Sequence, residues 1–207
     1  MTPHLDIMLD LETLGTTPDA VILSLGACAF ELNTGRLHIG RTIYRRLDID
    51  SQSRRHISGN TLAWWMGQSD TARAVFDCSA SAPDQPVPAR AALHDLAIWA
   101  GLTAKSLGVE PNGIRVWSNG ADFDIPMLTH ACHTYNINLP WGPYSARCYR
   151  TYKNLPGARD VSFYRSGGTA HHALDDAIHQ AQHLCAIHRA LFGCAPVDQS
   201  TINQEAA

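Results

Sequence analysis

The chain has 207 residues, 45% hydrophobic and 17% charged, which is enough apolar material for one α/β domain with a full core and excludes extended disorder. Its formal net charge of −3 gives none of the basic surplus that usually announces a polyanionic partner. No run approaches the roughly 18 to 20 apolar residues of a membrane span, the N-terminus lacks the regions of a secretory signal, and the six cysteines include no C-x-x-C pair; a cytoplasmic chain with reduced thiols and no membrane partner is expected.

In chain order, Leu5 to Leu9, Ala20 to Leu32 and Leu37 to Leu47 read as three strands. Short turn-rich connections, including Asn33-Thr34-Gly35, make them an antiparallel meander. Thr61 to Gln68 and Asp70 to Asp77 read as short helices, Ser79 to Pro88 as an exposed loop, and Pro88 to Leu107 as a longer helix with its stripe at Leu93, Leu96, Ala97 and Ala100. Ile114 to Trp117 is a fourth strand. After it, either Asp122 or Asp124 can cap a helix that carries Pro126 in its first turn and runs to about Tyr135. The last helix is His172 to Leu191, and the segment from Pro196 is polar. One domain over residues 1–195 with a tail over 196–207 is the expected organisation.

Three clusters carry chemistry. Side chains two apart on a strand share a face, so Asp10 and Glu12, closing the first strand, can present two carboxylates to one site while Leu11 enters the core. Asn119 to Asp124 follows the fourth strand, at the carboxyl end where α/β sheets collect their sites; it meets Asp10 and Glu12 if strands one and four are adjacent and parallel. His171, His172, Asp175 and Asp176 open the last helix, where a histidine can serve as a general base near neutral pH and an aspartate can hold a cation. Carboxylates from separate segments plus a histidine are the inventory of a metal-dependent phosphodiester hydrolase.

Asp10-Leu11-Glu12-Thr13-Leu14-Gly15, Asn119-x3-Phe123-Asp124 and His171-x-Ala173-x2-Asp176 resemble, in that order, the three motifs of the DEDDh 3′→5′ exonucleases of the ribonuclease H-like superfamily. The resemblance spans about residues 5 to 190. With Ala20 to Ala27 and Trp64 to Ser69 it is strongest to the group of phage-type DNA exonuclease A, exodeoxyribonuclease VIII-like domains and a mycobacterial adenylate-preferring exoribonuclease. Leu14, where threonine is frequent, and the three residues between Asn119 and Phe123 depart from the proofreading pattern without touching a metal ligand. The motif register selects His171 over His172, Asp124 over Asp122 and Asp176 over Asp175.

The resemblance implies a ribonuclease H-like fold: a central mixed sheet, an antiparallel meander plus parallel strands, flanked by helices. It implies that Asp10, Glu12, Asp124 and Asp176 hold two Mg²⁺ or Mn²⁺ ions roughly 3.5 to 4 Å apart, with His171 as base. The 3′ end of single-stranded DNA or RNA, DNA ahead of RNA, would be degraded to nucleoside 5′-monophosphates. Thr13, Leu14 and Asn119 are family-position candidates for substrate binding, with Trp64 or Trp65 as a stacking surface and one of the two packed in the core. The resemblance also allows a homodimer. Two bound divalent ions would turn −3 into about +1, so the apo charge does not exclude nucleic acid.

Of the 16 basic residues, six lie between Arg36 and Arg55 and five between Arg147 and Arg165, and either segment can guide a strand. An endonuclease of the same superfamily needs no histidine at 171 and no terminal-nucleotide pocket; an inactive binding module needs none of the five site residues. His179 with His183, and His130 with Cys132 and His133, are read as helix surface and core rather than zinc ligands.

Overall fold

The first strand, β1 (Leu5–Thr13), organises the molecule through its two-residue period. Leu5, Ile7, Leu9 and Leu11 enter one apolar cluster, and Met8 enters a second cluster on the opposite face of the sheet. The computed structural model describes residues 3–79, 81–165 and 167–193; the tail expected over 196–207 lies outside them.

β2 (Ile22–Glu31) pairs antiparallel with β1, and β3 (Arg36–Arg46) antiparallel with β2, which is the expected meander. β4 (Ile114–Ser118) pairs parallel with β1, Leu5 opposite Ile114 through Met8 opposite Trp117. A strand absent from the sequence reading, β5 (Ala146–Cys148), pairs parallel with β4 and completes the order β3-β2-β1-β4-β5. Three residues carry no legible period, and only the neighbouring strand makes them extended.

Helices cover both faces. Between β3 and β4 come α1 (Gly59–Met66), the single turn α2 (Asp70–Arg73) and α3 (Ala89–Ser106). The helix expected over 70–77 is therefore α2 followed by a 3₁₀ turn, Ala74–Phe76, and Phe76 sets its ring edge-on against Trp65 at 5.4 Å. α4 (Asp124–Tyr135) follows β4, and α5 (Tyr149–Tyr152) follows β5. α3 and α4 fill the first cluster with Leu93, Leu96, Ala100, Met127, Leu128 and Ala131. The final helix, α6 (Ala173–Phe192), lies across β1, β2 and β3 and lays Ala177, Ala181, Leu184 and Ile187 on the second face. Among the described residues no helix is long and apolar enough to cross a membrane.

One glycine decides how closely α6 approaches. Gly26 stands opposite Asp10 on β2, and a Cβ there would lie 2.1 Å from the Leu174 backbone nitrogen and 2.4 Å from its Cα. The first turn of α6 therefore rests directly on the β2 backbone. Gly26→Ala is expected to destabilise by about 1 to 3 kcal/mol, because the obstructing atoms are backbone and cannot rotate away. Gly59→Ala, at the open start of α1 with nothing within 4 Å, should leave stability unchanged or slightly raised. Thermal melts of the two variants check this, and equal melting temperatures would refute it.

The basic segment from Arg36 to Arg55 is largely spent on the fold. Arg46, 5% exposed, gives its guanidinium to the carbonyls of Val75, Asp77 and Asp84. Arg55 caps the carbonyls of Ala20 and Pro18, and Arg45 pairs with Asp95. Buried on carbonyl oxygens, Arg46 and Arg55 staple loops and cannot steer a phosphodiester chain. His183 likewise serves packing: it stacks on Phe163 at 5.4 Å and shares a 2.6 Å hydrogen bond with the Tyr149 hydroxyl.

Candidate active site

Three elements bring the carboxylates together. On β1, the alternation that sends Leu9 and Leu11 to the α3/α4 side turns Asp10 and Glu12 toward α6. Asp10 is held there by the Gln180 amide of α6, which donates from Nε2 to Oδ1 at 2.8 Å. Asp124 arrives from the first turn of α4 and accepts a hydrogen bond from the Leu11 backbone N–H at 3.2 Å. Neither Asp122 nor Asp124 caps α4: Phe123 holds the cap position without a side-chain bond, Asp122 points out, and Asp124 is 2% exposed. Its carboxylate is pulled off the helix end by the strand N–H beside it.

The start of α6 delivers the rest. His172, not His171, is the N-cap residue: its Nδ1 accepts from the Asp175 N–H at 3.4 Å and its ring stacks on Tyr44 at 4.2 Å. His171 precedes it with φ +62°, a left-handed conformation uncommon outside glycine and asparagine. That turn lets the His171 N–H donate to Asp176 Oδ2 at 2.8 Å and sets its ring 5.0 Å from that of Trp64, edge to face. Ligand atoms of Glu12, His171 and Asp176 all lie within 4.8 Å of one another. Asp176 also pairs with Arg165, from the segment before α6.

So many carboxyls in one place resist ionising together. Loss of solvent, then repulsion from Asp176 and Asp124, pushes Glu12 up to about 8. Burial lifts Asp124 to about 7 against the pull of the Leu11 N–H, and Asp10 is raised well above the usual carboxylate range by burial and by Asp124, Glu12 and Asp176. Asp6, on the same strand, is a different case. It is fully buried, accepts from Trp117 Nε1 at 2.8 Å, pairs with Arg115 at 3.0 Å, and anchors β4 rather than joining the cluster.

This donor set fits hard divalent cations. It offers oxygens of four carboxylates, and their mutual repulsion is the kind that a bound cation relieves. Gln180, whose N–H holds Asp10, also carries a buried amide oxygen without a partner among the described residues.

Beside Glu12 lies a cavity of about 330 Å³ lined by Leu11, Glu12, Thr13, Gly15, Thr16, Asn60, Thr61, Trp64, Trp65 and Phe123. Trp64 is 46% exposed, whereas Trp65 is 1% exposed and donates its indole N–H to the Thr13 carbonyl at 2.9 Å. One tryptophan is thus open to the cavity and the other holds its floor. Leu14 does not line it; at 2% exposed it packs with Val21, Leu23 and Trp65 in a third apolar cluster. Asn119 does not line it either, and its carbonyl accepts from Arg150 at 2.6 Å.

Gly26 and Gln180 shape the site without having been singled out in the sequence, whereas Arg150 and Arg165 belong to the basic segment expected to guide a strand. Gln180 carried a signal, a polar residue four positions beyond Asp176 within the apolar stripe of α6. Gly26 carried none beyond being a glycine in a strand.

The family model described as 3′-5′ exoribonuclease Rv2179c-like domain matches residues 5–188. No curated protein matches by sequence. Among solved structures, exonuclease I superposes with a TM-score of 0.60 at 12% identity, over 90% of this chain and 41% of that one. S. pombe Pop2p, in a Mg²⁺- and Mn²⁺-bound form, gives 0.58 at 13%, over 94% and 86%. The nuclease domain of 3′hExo, a DEDDh family member bound to rAMP, gives 0.53 at 16%, over 92% and 93%. The chain thus spans less than half of the exonuclease I chain, and the shared feature is the ribonuclease H-like mixed sheet flanked by helices.

Proposed function

The chain belongs to the Rv2179c-like 3′-5′ exoribonuclease domain family, a family of hydrolases, and from that premise we propose that it removes nucleotides from the 3′ end of single-stranded nucleic acid as nucleoside 5′-monophosphates. The observation that carries this reading is the cluster of Glu12, His171 and Asp176, with Asp124 close enough to raise the carboxyls of Asp10 and Glu12, beside a cavity with an open tryptophan. Family membership puts RNA first, whereas the phage-type motifs by themselves favoured DNA; DNA is the second substrate to test.

In this reading the four carboxylates hold two Mg²⁺ or Mn²⁺ ions. Bound there, such ions neutralise charge on the scissile phosphate and acidify the attacking water. His171 accepts the water's proton on its imidazole, which Trp64 flanks and the Asp176-bound backbone N–H fixes. Trp64 stacks on the terminal base, and Thr13 and Glu12 border the sugar in the adjoining cavity. Arg150 and Arg165 flank the carboxylates and supply positive charge to the incoming backbone. The unit is cytoplasmic, spans residues 1–195 and can pair with a second copy.

End-labelled single-stranded RNA and DNA of equal sequence, incubated with Mn²⁺ or Mg²⁺ and resolved by length, test the reading. A ladder shortening from the 3′ end with release of mononucleotides is expected. Cleavage of a circular single strand would instead establish an endonuclease, and no cleavage with either metal a binding module.

Cation uptake should also be visible in stability. Glu12 and Asp124 bind protons more tightly folded than unfolded, so the metal-free protein loses stability as pH rises from about 4 through about 8. A divalent cation takes the protons' place, so the rise in melting temperature with Mn²⁺ should be small at pH 5 and largest near pH 8.5. A rise independent of pH would contradict ionisation of these carboxyls as the condition for binding.

A further inference from the structure

Gln180 is more than nine-tenths buried, yet only half of its amide is used. Its Nε2 donates to Asp10 Oδ1 at 2.8 Å, while its Oε1 is enclosed and accepts no hydrogen bond among the described residues. Buried acceptors are nearly always paired, and an unpaired one is expected where the missing donor arrives with a ligand. Asp176 and Gln180 are four residues apart on α6, so both project from one face of the helix. The start of the helix is pressed to the sheet at Gly26, directly across from Asp10, and Gln180 itself is 7% exposed. Its one side-chain partner among the described residues, Asp10, takes the N–H, and the oxygen is left for a donor that arrives with a ligand.

We propose that Gln180 is a positioning residue for the metal site, aiming the Asp10 carboxylate with its N–H and accepting, through Oε1, a hydrogen bond from water carried in by the cation. The inference rests on the proposed metal site and adds to it a residue that holds no metal itself. Partners of this kind fix the orientation of the ligand they touch, and losing one costs about 10- to 100-fold in metal affinity. The arrangement also carries a stability signature. An amide with an orphaned oxygen is a liability in the metal-free protein and an asset only once the cation is bound.

Gln180→Met separates these roles, because methionine matches the glutamine in length and volume and removes donor and acceptor together. Calorimetric titration of Mn²⁺ into the metal-free parent and variant should show a dissociation constant about 10- to 100-fold weaker in the variant. The metal-free variant should melt no lower than the parent, while the added stability from saturating Mn²⁺ shrinks. Gln182→Met, altering a residue on the rim of a separate cavity, serves as the control and should bind Mn²⁺ as the parent does. A variant that binds Mn²⁺ as tightly as the parent would overturn the role of Gln180 and leave the metal site standing. A variant whose main change is a lower metal-free melting temperature would show Gln180 to be a packing residue and overturn the inference. A parent that takes up no Mn²⁺ would overturn the metal site and the inference together.

Discussion

Asp124→Asn is expected to lower turnover by at least roughly 10³-fold while the metal-free protein melts at the same temperature or higher. Asp124 has 2% of its surface exposed, and its carboxyl is pushed to about 7 mainly by loss of solvent. Asparagine keeps the volume and can still accept the Leu11 N–H, so the junction of β1 and α4 survives. What disappears is a negative charge that the folded apo protein holds at a cost, among three other carboxylates. A residue kept against stability is one kept for binding, and the two readouts should therefore move in opposite directions. Alanine at 124, or at 10, should abolish turnover as well, with a small loss of stability from the vacated volume. Turnover assays on an end-labelled oligonucleotide with thermal melts in chelator check both halves. Near-normal turnover in either variant would remove that residue from the site.

His171→Ala should cost about 10² to 10⁴-fold in rate, the span typical of a positioned general base, with little change in melting temperature. His172→Ala should do the reverse. It removes the N-cap acceptor of α6 and a stacked ring on Tyr44, costing about 1 kcal/mol and roughly 2 to 4 °C, with a rate within a few-fold of the parent. The contrast has a conformational source. His171 sits at φ +62°, and that left-handed turn is what points the N–H at Asp176 and the ring at Trp64. His171→Gly therefore supplies a sharper form of the test. Glycine relieves the backbone cost of the turn while deleting the imidazole, so the variant should be as inactive as His171→Ala and no less stable than it. Equal rate losses at 171 and 172 would overturn the assignment of the base.

Much of the site was readable because its signals are local. Asp10 and Glu12 share a face through strand period alone, and the spacing of His171, Ala173 and Asp176 places the histidine and the aspartate at one helix start. The tryptophan pair divided as expected, but nothing in Trp64-Trp65 said which ring would face the cavity; packing of Trp65 against Leu14, Val21 and Leu23 decided it. Leu14 shows the limit of a position carried over by resemblance, since its own burial takes it out of the cavity. The basic segment from Arg36 to Arg55 shows another. Charge counted along the chain cannot tell an arginine on carbonyl oxygens from one facing solvent, and Arg46 and Arg55 are of the first kind.

The sequence by itself determined the meander and the helices with strong stripes, because periodicity acts over a few residues, and its resemblance to a family's motifs singled out the candidate carboxylates and histidine. The tertiary structure alone decided that β4 lies parallel to β1, that β5 exists, and that Asp124 turns from its own helix end to the Leu11 N–H. It alone seated α6 on Gly26 and brought Gln180 to Asp10 from 170 residues away. Contacts between segments so far apart depend on shape and on unsatisfied polar groups meeting in space, and neither quantity is written in the order of residues along a strand or helix.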